Sequence, residues 1–490
     1  MSNQPVFTEN GAISYLTTGS ARVDFFFKIV RNTPIESLDQ LLTASWEEDK
    51  LDTMKLIFHL RDCRGGKGEK KQFKECITWL LKKDPQHVIN NLHNFTFFGS
   101  YKDLLHLFNT EAENEMLKFY SSQLNTDRIA VVFNKMIEDD LNSNEKLNVS
   151  LAAKWAPTEG CSHDKKFRAV FKLARALKVD KKRYRKEYLV PIRDYINIVE
   201  KLMCANDWND INYSKVPSVA MNRYRKIFEK HDQQRFAEYL SDVAAGKTKI
   251  NASVVFPHEI VRSVMDGELG SVLDLQWNAL VDSVRQKLSK GGIRAALSVV
   301  DVSGSMEGVP MQVAISLGLL LSEISDGVFH HKVITFSESP EMFNIPDLDL
   351  RGKVKAMQKM KWGTNTDLMK VFKLLIGTAK LYNLTPEQMP ETVFIFSDMQ
   401  FDAACGCNTN SNYQSIDDEY KLNGYIRPKI VFWNLRGNTV DFPATNSDNI
   451  ALVSGFSPSL MKLFVDGKEM NPFQVMRRAI DDKRYDCVEL

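Results

Sequence analysis

Apolar residues follow two different rhythms along this chain. Up to about residue 290 they recur at helical spacing: Leu51, Met54, Ile57 and Phe58, then Cys76, Trp79 and Leu80. Leu104, Leu105, Leu107 and Phe108 continue the pattern, as do Phe228, Phe236, Tyr239 and Leu240. Positions three and four apart share one face of a helix, so this spacing predicts helix after helix. Gly, Pro and Asn punctuate the segments, and strand-like alternation is scarce. Residues 1–290 therefore read as an all-α domain, an α-solenoid or irregular helical array of repeat-like helix pairs, although no exact internal repeat is visible.

From residue 291 the rhythm changes. Short apolar runs at 295–300, 332–337, 393–397, 429–433 and 449–453 predict strands, and longer stretches at 310–325, 350–360, 366–382 and 457–466 predict helices. Strand and helix in alternation imply an α/β domain over 291–490, a doubly wound, Rossmann-like and mostly parallel sheet. Such sheets bind ligands beyond the carboxyl ends of their strands. The segment from Gln400 to Arg427, rich in Asn, Ser and Asp, reads as a long connection beside that face.

Composition adds limits. A chain of 490 residues exceeds one core, and 43% apolar with 26% charged residues is ordinary for a soluble multidomain protein. The longest apolar stretch, Val313 to Leu321, is too short to span a bilayer. Met1 to Asn10 is polar and lacks the apolar centre of a secretory signal, so a cytoplasmic or nuclear protein without a membrane partner is expected. Cys63, Cys76, Cys161, Cys204, Cys405, Cys407 and Cys487 are scattered and odd in number, which fits reduced thiols. Cys405-Gly406-Cys407 resembles half of a zinc site, but no second pair at ligand spacing completes it.

Net charge is +2, unevenly divided: residues 291–490 carry 20 Lys/Arg against 24 Asp/Glu, and residues 1–290 carry 44 against 38. Between 165 and 186 stand eleven Lys and Arg with Asp180 as the only acid. That run is a candidate polyanion-binding face, with Lys181, Lys182, Arg183 and Arg185 as its expected contacts. The bland reading is a solvated helix whose apolar members, Phe167, Val170, Phe171, Leu173 and Leu177, turn inward.

The sharpest chemistry lies at two strand ends. Asp301-Val302-Ser303-Gly304-Ser305 follows the first apolar run, and Val393-Phe394-Ile395-Phe396-Ser397-Asp398 ends another in a carboxylate. Gly363-Thr364-Asn365-Thr366-Asp367 opens a helix between them. One carboxylate and two hydroxyls in a sharp turn suit a hard cation such as Mg²⁺ or Mn²⁺. A polar strand-to-helix loop with Ser303 or Ser305 as a helix cap is the plainer alternative. In this order and context the three segments resemble the metal-ion-dependent adhesion site of von Willebrand factor type A domains. The resemblance implies direct ligation by Ser303 and Ser305, with Thr364 binding directly or through water and Thr366 competing for that role. It further implies water-mediated contacts from Asp301 and Asp398, and a last position left for an acidic protein partner.

Further phrases carry a second resemblance over nearly the whole chain. They are Thr8-Glu9-Asn10-Gly11-Ala12, Thr17-Thr18-Gly19-Ser20, Arg61-Asp62-Cys63-Arg64-Gly65-Gly66-Lys67-Gly68-Glu69 and Lys154-Trp155-Ala156-Pro157. Tyr184-Arg185-Lys186-Glu187-Tyr188, Val216-Pro217-Ser218-Val219-Ala220-Met221 and Phe396-Ser397-Asp398-Met399-Gln400-Phe401-Asp402 continue the series. With the Asp301 loop they resemble the family called domain of unknown function 2828. The layout, helices followed by a von Willebrand A domain, is also similar to the Ro autoantigen (TROVE) proteins, whose helical ring binds RNA. That likeness implies RNA or ribonucleoprotein as a partner.

Gly65-Gly66-Lys67-Gly68 suggests a phosphate cradle only at first sight. A P-loop requires a strand, then Gly-x-x-x-x-Gly-Lys followed by Ser or Thr, and here helices flank the glycines. The segment reads as a helix-to-helix turn from which Arg61, Arg64 and Lys67 would touch RNA phosphates. Enzymatic readings find less support. The histidines are dispersed, His258 reads as part of a helix start, no Gly-x-Ser-x-Gly elbow exists, and a hydrolase built on Asp301 and Asp398 lacks a visible general base. The expectation is non-catalytic binding.

Overall fold

The computed structural model describes residues 5–7, 13–139, 147–252, 254–268, 270–288, 295–336, 339–360, 367–400, 412–438, 441–443, 445, 450–464 and 470–490. Pro5–Phe7 (β1) and Ile13–Tyr15 (β2) pair antiparallel, and the other elements among the described residues up to Leu288 are helices. The strands that follow are Ala296–Asp301 (β3), Lys332–Phe336 (β4), Met342–Asn344 (β5), Thr392–Ser397 (β6), Lys429–Asn434 (β7) and Ile450–Ser454 (β8). They make one six-stranded sheet in the order β5-β4-β3-β6-β7-β8. Every pairing is parallel except that of β4 with the edge strand β5. The five longer strands coincide with the five apolar runs. β5 has only three residues and is half exposed, so no apolar run marked it.

Alternation along the strands divides the sheet into two faces. Leu297, Val299, Ile334, Phe336, Val393 and Ile395 turn toward the helix Leu368–Leu381 and toward Ile416 and Tyr420 of the helix Asn412–Leu422. That second helix lies within the segment expected to be a connection. The opposite face meets the helix Val309–Ile324, where a Cβ on Gly318 would stand 2.5 Å from Val300 Cγ2. Helix and strand approach that closely only because the position is glycine. Val309–Ile324 is buried at almost every position, as expected of a helix apolar all round. Its outer side is covered by Pro257–Met265 and Ser271–Leu288, with Trp277 Nε1 donating to Glu323 at 3.0 Å.

The change from helices to strand-helix alternation falls between Leu288 and Ala296, but compactness follows a different line. Residues 1–72 and 213–486 form one unit, and residues 73–212 with 487–490 form the other. The sheet unit thus includes helices from both ends of the 1–290 segment. Its first helix, Ala21–Lys28, is capped by Ser20, while Asp24 in its first turn accepts hydrogen bonds from Thr17 and Thr18. That is the work of the Thr17–Ser20 phrase, an N-terminal cap. Phe27 on this helix joins the core of the sheet face.

The second unit is helical throughout its described residues. Its longest helix, Glu113–Asp139, buries Tyr120, whose hydroxyl donates to the Ala152 carbonyl at 2.8 Å. Tyr184 donates to the Pro157 carbonyl at 3.1 Å, and Arg193 donates to the carbonyls of Ala153 and Ala156. Two of the phrases noted above, at 154–157 and 184–188, therefore meet in space.

Candidate metal centre

β3 and β6 are neighbours from which the sheet grows outward in opposite directions, so strand order reverses between them. A crevice opens beyond the carboxyl ends of two such strands. Asp301 closes β3, and Asp398 directly follows β6. Both are buried. Asp301 accepts hydrogen bonds from the Ser303 backbone N–H at 2.9 Å and from the Ser397 hydroxyl at 2.6 Å. Burial and the like charge of Asp398 push the Asp301 carboxyl up to about 6, with the Ser397 and Ser303 hydrogen bonds holding it back.

The turn after Asp301 brings the Ser303 and Ser305 hydroxyls to 3.0 Å from each other. That separation is a hydrogen bond, and it is also the edge of an octahedron with ligands at about 2.1 Å, the Mg²⁺ distance. Ca²⁺, with ligands at about 2.3–2.6 Å, would need the pair wider apart. Among the described residues no three His, Cys, Asp or Glu side chains come together as a metal-binding group. A centre here would rest on hydroxyls supported by two carboxylates, and the facing carboxylates fit a cation that relieves their repulsion.

Arg436, two residues beyond the end of β7, completes the rim and was not foreseen. One of its guanidinium nitrogens lies 3.4 Å from Asp398 Oδ2, and the same nitrogen donates to the Ser305 carbonyl at 2.7 Å. Its backbone N–H is held by the Asn434 side chain at 2.9 Å. The available signal was positional: β7 is parallel and adjoins β6, so the loop after it also opens onto the crevice. Ser397, the donor to Asp301, was legible as a residue but not as a partner.

The remaining predicted residues separate into groups. Thr364 and Thr366 lie outside the described residues, as do Cys405 and Cys407. Asp367 caps the helix Leu368–Leu381 by accepting from the Lys370 N–H at 3.1 Å. Lys181, Lys182, Arg183 and Arg185 are exposed on the helical unit, with Arg183 paired to Glu187 at 2.7 Å and Lys181 lying 3.6 Å from Glu159.

Arg61 and Lys67 correct the sequence reading. Each is only 2% exposed and so is closed to an RNA phosphate. The Lys67 ammonium donates to the Phe26 carbonyl, to the Ile29 carbonyl at 2.7 Å and to the Ser454 hydroxyl at 2.7 Å. It joins the end of the helix Ala21–Lys28 to the end of β8, and cations are favoured at helix C-termini. Burial draws its pKa down to about 7, against the pull of Glu69. Asp62 beside it holds Arg484 at 2.5 and 3.1 Å and accepts from the Tyr485 hydroxyl at 3.0 Å. A Cβ on Gly66 would lie 2.1 Å from the His59 carbonyl oxygen, so this loop folds tightly back on the preceding helix. Only Arg64 of the three basic residues is exposed.

Comparison with known families finds matches over both segments of the chain. Residues 8–131 and 118–289 match the domain of unknown function 2828, and residues 295–486 match the domain of unknown function 7788. The chain is also 33% identical over 502 aligned positions to an uncharacterized protein, L728, of Acanthamoeba polyphaga mimivirus, an alignment covering 97% of this chain and 87% of the viral protein.

Proposed function

The chain belongs to the domain of unknown function 2828 family, and on that premise we propose that it is a non-catalytic binding protein whose sheet domain, of the von Willebrand factor A type, holds Mg²⁺ or Mn²⁺ at the Asp301 loop. The observation carrying this reading is the pair of hydroxyls, Ser303 and Ser305, 3.0 Å apart beside two buried carboxylates at the strand-order reversal. The antiparallel edge strand on a parallel sheet also fits that domain type. Ser303 and Ser305 would hold the cation directly, Asp301 and Asp398 through water, and Thr364 or Thr366 would add a further oxygen. The bound cation supplies positive charge for a carboxylate from an acidic protein partner. Arg436 adds a donor of the same sign at the rim, so the face selects anions.

The test is a pull-down from the native cell with Mg²⁺ or with EDTA, using the parent and Asp398→Ala. A protein retained by the parent in Mg²⁺ and lost both in EDTA and with the variant supports the reading. Retention in EDTA would sink it. Metal-assisted hydrolysis finds less support, because Ser397, Ser303 and Arg436 already engage the two carboxylates that would have to supply a base.

One observation favours a second activity in the same molecule. Lys181, Lys182, Arg183, Arg185 and Lys186 are exposed together on the helical unit. This supports contact with RNA or a ribonucleoprotein, in keeping with the layout shared with Ro proteins. RNA bound there would survive EDTA and fall away in high salt, because contacts between Lys or Arg and phosphate need no bridging ion.

A further inference from the structure

Within the sheet unit a cavity of about 310 Å³ opens beside the Cys63–Gly65 loop, on residues that take no part in the metal centre. Its volume is at the small end of the range for ligand sites. Its apolar lining is formed by Val254, Val255, Phe256, Leu280, Val284 and Met461. Among the described residues the lining also carries three cationic side chains, Arg64, Lys462 and Arg484, together with the carboxylate of Asp482. Ser283, Ser457 and Ser459 add hydroxyls.

Two of the three basic groups are held in place. Arg484 is anchored from behind by the buried Asp62 at 2.5 and 3.1 Å. Lys462 is held 3.1 Å from Asp482, and the Ser459 hydroxyl donates to the Arg64 carbonyl at 3.2 Å. Lys462 and Arg484, fixed in this way before a ligand arrives, need little reordering when it binds. A low-dielectric apolar wall next to them strengthens their field inside the cavity.

We propose that this cavity binds a small amphipathic anion, its apolar body against Leu280, Val284 and Met461 and its carboxylate or phosphate head at Arg64, Lys462 and Arg484. A neutral apolar molecule would leave the cations without return for their desolvation. An inorganic anion would leave the apolar wall in water. Both halves of the ligand are therefore required.

The test is calorimetric titration of the full chain with four probes: octanoate, octanol, phenyl phosphate and inorganic phosphate. Octanoate and phenyl phosphate should each bind at least tenfold more tightly than octanol or inorganic phosphate, and their ratio identifies the preferred head group. Arg64→Gln, at an exposed position, should weaken octanoate at least tenfold and leave octanol unchanged. Ser283→Phe, at a part-exposed wall position, should weaken octanoate and octanol together. Circular dichroism and melting temperature should confirm that both variants are folded. Equal affinity for octanoate and octanol overturns the proposal. So does octanoate binding that neither variant alters, or the absence of saturable binding by every probe. Displacement of octanoate by a short single-stranded oligoribonucleotide would also overturn it, giving Arg64 to RNA instead.

Discussion

The Asp301–Ser305 loop and the Arg61–Glu69 loop are both polar and glycine-containing, yet the fold uses them in opposite ways. Each has acidic and hydroxyl or basic groups around glycine, and each invites a ligand-binding reading. In the Asp301 loop, polar atoms from separate strands converge on one point at the carboxyl ends of β3 and β6. In the Arg61 loop every charged group but one points into the protein, and the charges join elements to each other. Lys67 ties a helix to β8, Asp62 ties the loop to Arg484 and Tyr485, and Glu69 pairs with Arg31 at 3.2 Å. Polar side chains beside glycine were the evidence in both places. Position relative to the sheet decided the outcome.

The largest effect should come from breaking the second loop. Lys67→Met keeps the length of the side chain but leaves the Phe26 and Ile29 carbonyls and Ser454 without their buried donor. Urea unfolding should show a loss of about 2 to 4 kcal/mol, reduced from a full loss because the Ser454 hydroxyl can reach either carbonyl. An unchanged midpoint would erase the contrast between the loops. Next comes metal. Mg²⁺ at about 100 times its dissociation constant should stabilise the parent by about 2.7 kcal/mol and should not stabilise Asp301→Ala, as read by thermal melts. Lys67→Met should keep its metal response, since its lesion lies in the other loop. A metal rise surviving in Asp301→Ala would remove the first loop from the comparison.

Two further effects sharpen the contrast. Unfolded lysine keeps its proton to about 10.5, whereas folded Lys67 releases it near 7. Between those values the unfolded chain binds more protons, so rising pH favours the folded state through this group. The stability difference between parent and Lys67→Met should therefore widen from pH 7 to pH 10. A flat difference in pH-resolved urea titrations would contradict the burial of that ammonium. Smallest of all, reversing Lys181, Lys182, Arg183 and Arg185 to Glu should change unfolding free energy by only about 0.5 kcal/mol for each exposed side chain. The same variant should flatten the salt dependence of RNA binding, by roughly 0.7 to 0.9 in slope for each phosphate no longer neutralised. Equal binding by variant and parent would return that helix face to the solvent.

How much was legible follows from the reach of each interaction. The strands at 296–301 and 392–397 were readable because a buried parallel strand is a continuous apolar run, and their terminal carboxylates were readable because they break that run. The cap at Thr17–Ser20 involves neighbours a few residues apart. Lys67 is different. Its partner Ser454 lies 387 residues away, and no local spacing announces that a lysine between glycines will be buried. The placing of 1–72 and 213–288 with the sheet has the same origin, since the helix Val309–Ile324 required covering but did not say by what. Arg436 lay between these cases, in the right loop but attached to a strand that ends in no carboxylate.

The clasp between Lys67 and Ser454 also bears on how the protein is made. A ribosome releases residues 21–69 long before β8 emerges, so Phe27 must wait for the sheet core, and Lys67 for Ser454, over nearly the whole chain. Residues 73–212, made in the interval, are able to reach most of their contacts at once. Domains of a nascent chain generally fold in order of synthesis, but here the middle segment should finish before the segment that precedes it. Arrested translation beyond residue 212 would leave a folded insert carrying an unfinished beginning. Expression of 291–490 alone would present a sheet lacking Phe27 and the lysine that closes its last strand.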